Sequence, residues 1–378
     1  CAKPYFSYTN SLPVIWTVTI WNKISPYLKT QLMKKTILLI LLLASLKSIG
    51  QKSELNITID ERIETIYSIA FLDDYFLVNN HENLYKSNLK NNFKALKNHK
   101  AVALFDTLSK KHGFNFNNVT DWVLQFGEFP ELNKVREVIN PDSFDESKGD
   151  YLIKKFKKEF ISFNQDSLFQ AYLTEVKELN EKVLNQVKQS KSIQYLPAYL
   201  EKYYGSELGS YNLILSPLVH SGGFNSKFIA DGKEEVYAII GPNGEIEHIP
   251  YFEKGFLEMD LILHEFGHSF VNPLTEKLQN EIENIKEKYY TESLKKNGKT
   301  QGYSEWKYVF NELIIRAITI RIANENFGTE KAKELLDYEK SIGFSLVNNI
   351  VEILKEYENN REKYSKFSEF YPILIERM

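Results

Sequence analysis

The chain has 378 residues, of which 43% are hydrophobic and 14% aromatic, so a substantial core can form and a largely disordered protein is excluded. The formal net charge is −3, but residues 1–50 hold six lysines and no acidic residue, which leaves 41 basic and 50 acidic residues in the remainder. This acidic remainder argues against a nucleic-acid partner, because binding to phosphates needs a basic surface.

The N-terminal segment has the features of an export signal. Met33 is followed by two lysines and then by an apolar run from Ile37 to Ala44, which is too short to span a membrane comfortably. Ser48 and Gly50 place small residues at positions −3 and −1 of a cut after Gly50. We therefore predict that residues 33–50 are a signal peptide and that the product is periplasmic or extracellular, without a stable membrane anchor. An ordinary buried helix is the alternative.

Residues 1–32 begin with Cys1 and show no coherent pattern, so we interpret them as translated sequence upstream of the true start. Cys1 is the single cysteine of the sequence. A mature chain that starts after the signal peptide would therefore have neither disulfide bonds nor a metal bound by cysteine.

Residues 51–204 are predicted to be a mainly helical region, since apolar residues such as Ile63, Ile66 and Ile69 recur at helical spacing. Residues 205–378 are predicted to form a second region that contains both strands and helices. It opens with two predicted strands, Tyr211–Val219 and Glu235–Ile240, separated by a polar loop. Pro217 inside the first of them indicates an edge strand or a bulge.

The rest of the chain is predicted to be helical, which makes the fold class α+β and mainly helical. One helix is expected from about Phe256 to Val271, ending at Asn272 because the residue before a proline disfavours helical geometry. The polar stretch Lys295–Gln301 indicates a mobile segment, and Glu305–Phe327 a second long helix. A further pair of helices is expected to close the chain.

The sequence His264-Glu265-Phe266-Gly267-His268 lies on the first of these helices. Histidines four residues apart project from one face and can bind a single zinc ion. Zinc lowers the pKa of a bound water to about 7, and Glu265 is placed to take its proton as the water attacks a carbonyl group. The motif therefore predicts a zinc hydrolase, and core histidines satisfied by their neighbours are the alternative.

The third ligand is predicted to be Glu312, because no histidine follows His268. The segment Tyr308–Ala323 is apolar nearly all round and holds only Glu312 and two arginines as charges. A buried carboxylate must be paired or coordinate a metal. Arg316, one turn later, would hold Glu312 ionised and oriented. A structural ion pair between Glu312 and Arg316 without any metal is the alternative.

Four further residues are candidates for supporting roles. Asp260 and Asn272 lie one turn from the histidines and could hold their outer ring nitrogens, although Asp260 could equally be a solvated residue. Tyr303 and Tyr371 are candidate donors to the oxyanion of a tetrahedral intermediate, and ordinary packing is the alternative for both.

At these residues the chain resembles the gluzincin metallopeptidases, in which a glutamate on a following helix completes the zinc site. Asn311-Glu312 together with Arg316 looks like their second motif. The resemblance implies a zincin-like catalytic domain with a small sheet before the motif helix and a helical C-terminal part. It also implies that an extended peptide pairs with an edge strand, a place that Tyr211–Val219 or Glu235–Ile240 would occupy.

The mature chain is also similar to a family of exported bacterial proteins known as a domain of unknown function. The likeness lies in Asp60–Glu64, Leu215–Leu218 and His264–Pro273, and it covers most of residues 55–375. These observations lead us to expect an exported zinc metallopeptidase with a peptide or protein substrate. A non-catalytic exported binding protein with a structural zinc is the alternative, and hydrolysis of another amide stays open. The sequence does not indicate an oligomeric state.

Overall fold

A computed structural model describes residues 54–139, 144, 151–253, 255 and 260–378. The predicted upstream segment, the predicted signal peptide and the predicted start of the motif helix near Phe256 lie outside the described residues. Within those ranges, no helix has the length and apolar character needed to cross a membrane.

Five strands form one mixed sheet in the order β1-β3-β5-β4-β2. The strands are β1 (Leu55–Thr58), β2 (Glu137–Val138), β3 (Ser210–Leu215), β4 (Gly223–Ala230) and β5 (Lys233–Ile240). The pairs β1·β3 and β3·β5 are parallel, whereas β4 runs antiparallel to β5 and to the short strand β2. A separate hairpin consists of β6 (Gly244–Ile246) and β7 (Ile249–Tyr251).

Both predicted strands exist, but their surroundings differ from the prediction. β3 ends at Leu215, so Pro217 lies outside it, and β3 is an interior strand between β1 and β5 rather than an edge strand or a bulged one. The predicted polar loop between the two strands is largely β4. Its polar residues misled the prediction because Asn225 and Lys227 direct their side chains at Ser269 rather than at an apolar layer.

Helices dominate the rest of the chain, and at 62% helix with a small mixed sheet the α+β, mainly helical class is confirmed. Before β3 the helices are α1 (Glu61–Leu72), α2 (Leu84–Asn91), α3 (Lys100–His112), α4 (Asn117–Leu124), α5 (Tyr151–Asn164), α6 (Ser167–Glu175), α7 (Lys177–Lys188) and α8 (Leu196–Tyr204). After β7 they are α9 (Ile262–Lys277), α10 (Gln279–Asn284), α11 (Lys286–Tyr289), α12 (Glu292–Thr300), α13 (Trp306–Phe327), α14 (Thr329–Ser341), α15 (Val347–Asn359) and α16 (Phe367–Arg377).

Two of these helices correct the prediction for the C-terminal half. The polar stretch Lys295–Gln301, predicted to be mobile, belongs mostly to α12. Three helices follow α13, not the predicted pair. The second long helix is confirmed as α13, which begins one residue later than predicted and ends at Phe327.

The two regions that the sequence suggested share one sheet, because β1 from the first pairs with β3 from the second. Helix α1 is buried along nearly its whole length, and its Glu64 accepts a hydrogen bond of 2.6 Å from Ser216, just beyond β3. Residues Ser53–Met378 accordingly form one compact unit.

Successive side chains of a strand point to opposite faces of the sheet, and β4 shows which helices cover each face. Asn225 donates to the Ser269 hydroxyl on α9, whereas Ser226 donates to the Thr120 hydroxyl on α4. Phe224, on the face of Ser226, meets Tyr67 of α1. The motif helix α9 therefore covers one face, and α1 and α4 cover the other.

The motif helix does not stop at Asn272 as predicted but continues through Pro273 to Lys277. A proline inside a helix removes the hydrogen bond to the carbonyl four residues earlier, which here is that of Ser269. Lys227 of β4 donates to this carbonyl oxygen over 3.3 Å. The helix can continue because a side chain of the sheet replaces the missing backbone donor.

Candidate metal centre

Helices α9 and α13 bring His264, His268 and Glu312 together. The Nε2 atom of His264 lies 3.4 Å from Glu312 Oε2, and that of His268 lies 3.4 Å from Glu312 Oε1. One ligand atom from each residue lies within 4.8 Å of the other two. The three side chains are thus a group that could hold a metal ion.

Gly267 allows the two helices to approach closely enough for this arrangement. A Cβ atom at this position would lie 3.1 Å from Cγ2 of Ile315 on α13 and 3.3 Å from the Tyr204 hydroxyl. These distances are tighter than ordinary van der Waals contacts. The glycine between the two histidines therefore lets α9 pack closely against the helix that carries Glu312.

Glu312 is 1% exposed and is held by a chain of charged groups. Arg316 donates from Nε and Nη2 to Glu312 Oε2, both over 3.1 Å, and from Nη1 to Glu339 Oε2 over 2.6 Å. The guanidinium carbon lies 4.5 Å from the centroid of the Phe344 ring. Arg316 is thus fixed on three sides, and Glu312 is oriented toward the histidines.

The electrostatics of the cluster couple these residues. Burial disfavours the ionised carboxylate of Glu312, but His264 and Arg316 outweigh it and lower its pKa. Burial likewise opposes the charged form of His264, yet Glu312 raises its pKa to about 9. For His268 burial dominates and lowers the pKa to about 4. In the absence of a metal ion, Glu312 therefore favours the charged form of the His264 imidazole, whereas burial favours the neutral form of the His268 imidazole.

Asn272 sets the orientation of the His268 ring. Its Oδ1 lies 3.2 Å from His268 Nδ1, and because an amide oxygen only accepts hydrogen bonds, Nδ1 must carry the proton. The lone pair of Nε2 is then directed at the cluster. Asp260 lies one turn before His264, and its half-buried carboxyl group interacts electrostatically with that histidine; desolvation raises its pKa.

Glu265 is buried next to the cluster and against strand β4. Burial raises the pKa of its carboxyl group to about 7, while His264 lowers it. Gly223, the first residue of β4, lies so close that a Cβ atom there would be 2.7 Å from Glu265 Oε1. The absence of a side chain at Gly223 leaves the space that the carboxyl group occupies.

The structure places the two candidate tyrosines differently. Burial and the carboxylates of Glu312 and Glu265 raise the pKa of Tyr303 well above its ordinary value, so its hydroxyl stays protonated near the cluster. Tyr371 instead bonds to the Thr275 hydroxyl over 2.6 Å. Thr275 lies seven residues after His268 on α9, a helical rise of about 10 Å, so Tyr371 is not brought to the cluster.

The chemistry of the donor set is compatible with a divalent metal ion such as zinc. Two imidazoles and one carboxylate are a known ligand set of zinc hydrolases, and three protein ligands leave a position open for water. In the described part of the chain, the group contains three ligand-type side chains rather than the four that close a structural site.

Beside this cluster lies the first half of β4, Gly223–Ser226, which we call the open edge because the described residues place no strand against it on the side away from β5. The resemblance to gluzincins suggested that Tyr211–Val219 or Glu235–Ile240 would be the edge, which is wrong because β3 and β5 are interior strands. Just before β4, the Gly222 carbonyl oxygen accepts from the Gly241 N–H on the side of β5, while the carbonyl oxygen of Lys227 in β4 accepts from the Ile139 N–H on the opposite side. In an antiparallel pair, successive residues alternately bond to the partner strand and point away from it. The backbone N–H and C=O groups of Gly223 and Asn225 therefore point away from β5.

Residues 142–377 match a protein family described as a domain of unknown function, DUF4932. The chain belongs to this family. No curated protein and no solved structure matches the chain. The DUF4932 match includes the whole metal-ligand group and strands β3 to β5, whereas Asp60–Glu64 lies before it.

Three contributors to the site of this DUF4932 protein are missing from the sequence-based prediction. Glu339 anchors Arg316 from α14, Gly223 makes room for Glu265, and β4 supplies the open edge. None of them lies within a recognisable motif. The single usable signal was Gly222-Gly223 before a segment with alternating apolar residues, which is compatible with a strand that approaches another group closely.

Proposed function

We propose that this protein is a zinc-dependent metallopeptidase that hydrolyses peptide bonds with a zinc-activated water. The observation that carries the proposal is the position of Glu265. Its buried carboxyl group lies between the ligand group and the backbone of Gly223 at the open edge of β4. A general base at this position lies next to the metal ion and next to the backbone of a bound peptide, as hydrolysis of a peptide bond requires.

Zinc held by His264, His268 and Glu312 would supply a water of lowered pKa and polarise the carbonyl group that is attacked. Glu265 takes the proton from the attacking water and delivers it to the nitrogen of the leaving amine. A pKa of about 7 suits this double role, because a group that both accepts and releases a proton works best near the ambient pH.

Two further residues act on charge that develops during the reaction. Tyr303, with its raised pKa, remains a hydroxyl donor and stabilises the oxyanion of the tetrahedral intermediate. Arg316 keeps Glu312 ionised and in place, so that the ligand set retains its charge and geometry.

The substrate is a peptide bound in extended form along β4. The outward-facing backbone groups of Gly223 and the outward-facing N–H of Asn225 offer hydrogen bonds to an added strand, while the Asn225 carbonyl oxygen is bonded to Asn117. Since Gly223 adjoins Glu265, a peptide paired with this edge has its backbone next to the base. The likeness of Met33–Gly50 to a signal peptide supports export, and we include an exported location in the proposal.

The test is the metal content and the activity of two matched variants. We expect about one zinc per chain, hydrolysis of members of a peptide library, and a loss of at least about 100-fold in kcat for Glu265→Gln with its zinc retained. The control Glu276→Gln removes an exposed glutamate of the same helix, which pairs with Lys307, and should leave the rate unchanged.

Full hydrolytic activity in Glu265→Gln would overturn the mechanism, and a zinc-free purified protein would overturn the metal site. A protein that holds one zinc but hydrolyses no peptide of the library would favour the alternative, a binding protein with a zinc ion of structural role.

A further inference from the structure

Two aromatic side chains lie exposed on the N-terminal part of the chain, outside the matched region 142–377. Phe76 is 62% exposed and Phe116 is 47% exposed. Their rings meet edge to face with centroids 5.5 Å apart. The two rings contact each other and solvent, so together they form an exposed apolar surface that is not part of the hydrophobic core.

Phe116 has a backbone conformation that favours glycine. Its φ is 52° and its ψ is −135°, so a residue with a side chain is strained there. The surroundings hold it in place, because the Phe116 N–H donates to the Tyr75 hydroxyl over 3.1 Å and Tyr75 packs edge to face on Phe105. The fold thus keeps an exposed phenylalanine at a position where glycine would be unstrained.

The same segment contacts the open edge of β4. Asn117, next to Phe116, donates from Nδ2 to the outward-facing carbonyl oxygen of Asn225 over 2.5 Å. This bond marks the end of the open edge, since further along β4 the strand pairs with β2. The aromatic pair therefore begins where the backbone of a bound peptide would leave β4.

The ring of Phe116 also approaches the opposite side of the site. A side-chain carbon at Gly302 would lie 4.0 Å from Phe116 Cε1, and the residue after Gly302 is Tyr303. Phe116 is thus placed between β4 and the segment that carries Tyr303, and about half of its surface is exposed.

We propose that Phe76 and Phe116 form a subsite for a large apolar side chain, aromatic by preference, of the extended peptide substrate. The inference rests on the proposed function. Gly223 and Asn225 are about 7 Å apart along the strand. Since Glu265 adjoins Gly223 and the aromatic pair adjoins Asn225, the selected side chain lies two or three residues from the bond that is cleaved. The pair is a specificity element outside the matched region.

The experiment starts from a peptide that the zinc-loaded protein cleaves. Peptides with phenylalanine or alanine at each position are compared by kcat/KM. We expect a preference for phenylalanine of about 10- to 100-fold at one position two or three residues from the cleaved bond. Phe76→Ala and Phe116→Ala should lose most of that preference through a lower kcat/KM for the phenylalanine peptide, while the zinc content stays unchanged.

Two more variants separate recognition from folding. Phe116→Gly removes the ring and also relieves the strain, so it should lose the preference with an unchanged or higher melting temperature. Ile229→Ala removes an exposed apolar residue from the paired end of β4, where it is 43% exposed, and should keep the preference.

The outcomes distinguish the two proposals. A wild-type protein that cleaves no peptide contradicts the proposed function. A wild-type protein that cleaves peptides without a preference at this position, or whose preference survives both alanine substitutions, overturns the subsite and leaves the proposed function standing.

Discussion

Lys227 on strand β4 donates a hydrogen bond to the carbonyl oxygen of Ser269, which Pro273 leaves without its helical donor. This bond lets α9 continue past the proline and joins it to the strand beside the site. The two substitutions Lys227→Met and Pro273→Ala should therefore be coupled. In the natural chain, Lys227→Met removes the donor that replaces the missing helical one, so its cost in the free energy of unfolding includes this bond. In the Pro273→Ala background the cost should be smaller, because the alanine restores the backbone N–H.

We expect a coupling of about 0.5–1.5 kcal/mol in the free energy of unfolding, the ordinary worth of one such hydrogen bond. Chemical denaturation of the four proteins measures it. The loss of the ion pair between Lys227 and Glu234 is common to both backgrounds and cancels in the cycle. Additive effects would show that the carbonyl does not depend on Lys227.

Gly223→Ala tests the space reserved for Glu265. The new Cβ atom would lie 2.7 Å from Glu265 Oε1, so the carboxyl group must move. We expect kcat for peptide hydrolysis to fall about 10- to 100-fold with zinc retained, because small displacements of a catalytic group have effects of this size. Gly244→Ala is the control, since a Cβ there meets its nearest neighbour at an ordinary 3.8 Å. Equal rates for both variants would contradict the assigned contact.

Most helical segments and the strands β3 and β5 were predictable because they depend on local periodicity. What the sequence missed depends on partners far along the chain. Pro273 predicts the end of a helix from the sequence alone. The helix continues because Lys227, on strand β4, donates the hydrogen bond that the proline cannot. Strand β4 looked like a polar loop because Asn225 and Lys227 direct polar side chains at α9 rather than at an apolar layer.

Asn272→Leu tests the orientation of His268. Without the amide oxygen, nothing on this residue fixes the proton on Nδ1, and we expect zinc affinity to fall about 10- to 100-fold. Asn272→Asp should preserve or tighten binding, because a carboxylate is a stronger acceptor for the same N–H. Competition with a zinc indicator measures both variants, and Asn349→Leu on the exposed face of α15 is the control. Unchanged affinity in Asn272→Leu would show that the ring needs no such partner.

Glu64 makes the stability depend on pH in a defined direction. Burial raises the pKa of its carboxyl group from 4.5 to about 8, partly offset by the bond from Ser216, and Asp60 raises it further. Between these two pH values the folded protein binds a proton that the unfolded chain has released. Stability from this group is therefore fully present below pH 4.5 and falls as the pH rises to 8.

Glu64→Gln removes that dependence while keeping an acceptor for Ser216. Relative to the natural chain, we expect the variant to gain about 2–4 kcal/mol in the free energy of unfolding between pH 5 and pH 8, from about 1.4 kcal/mol for each pH unit. Urea denaturation across this range measures the difference. Parallel stability curves for the two proteins would show that Glu64 stays ionised in the fold.

The residues of the candidate site were predictable where metal binding requires a certain residue type or spacing in the sequence. The supporting residues, which have no such requirement, were not. His264 and His268 lie on one helix, and Glu312 was singled out because a lone carboxylate in an apolar helix needs a partner. Glu339 gave no such signal, since α14 carries several acidic residues and only the fold shows which one reaches Arg316. Tyr303 and Tyr371 were indistinguishable because neither lies at a fixed spacing from the motif.

The parallel pairing of β1 with β3 has a consequence for how this protein can be divided. The matched region begins at residue 142, yet the outer edge of β3 is covered by Leu55–Thr58, and Ser216 depends on Glu64 of α1. A fragment cut at residue 142 would expose a hydrophobic strand edge that invites pairing between chains. The boundary that sequence comparison finds is thus not a boundary of autonomous folding, and the smallest piece worth expressing begins before Leu55.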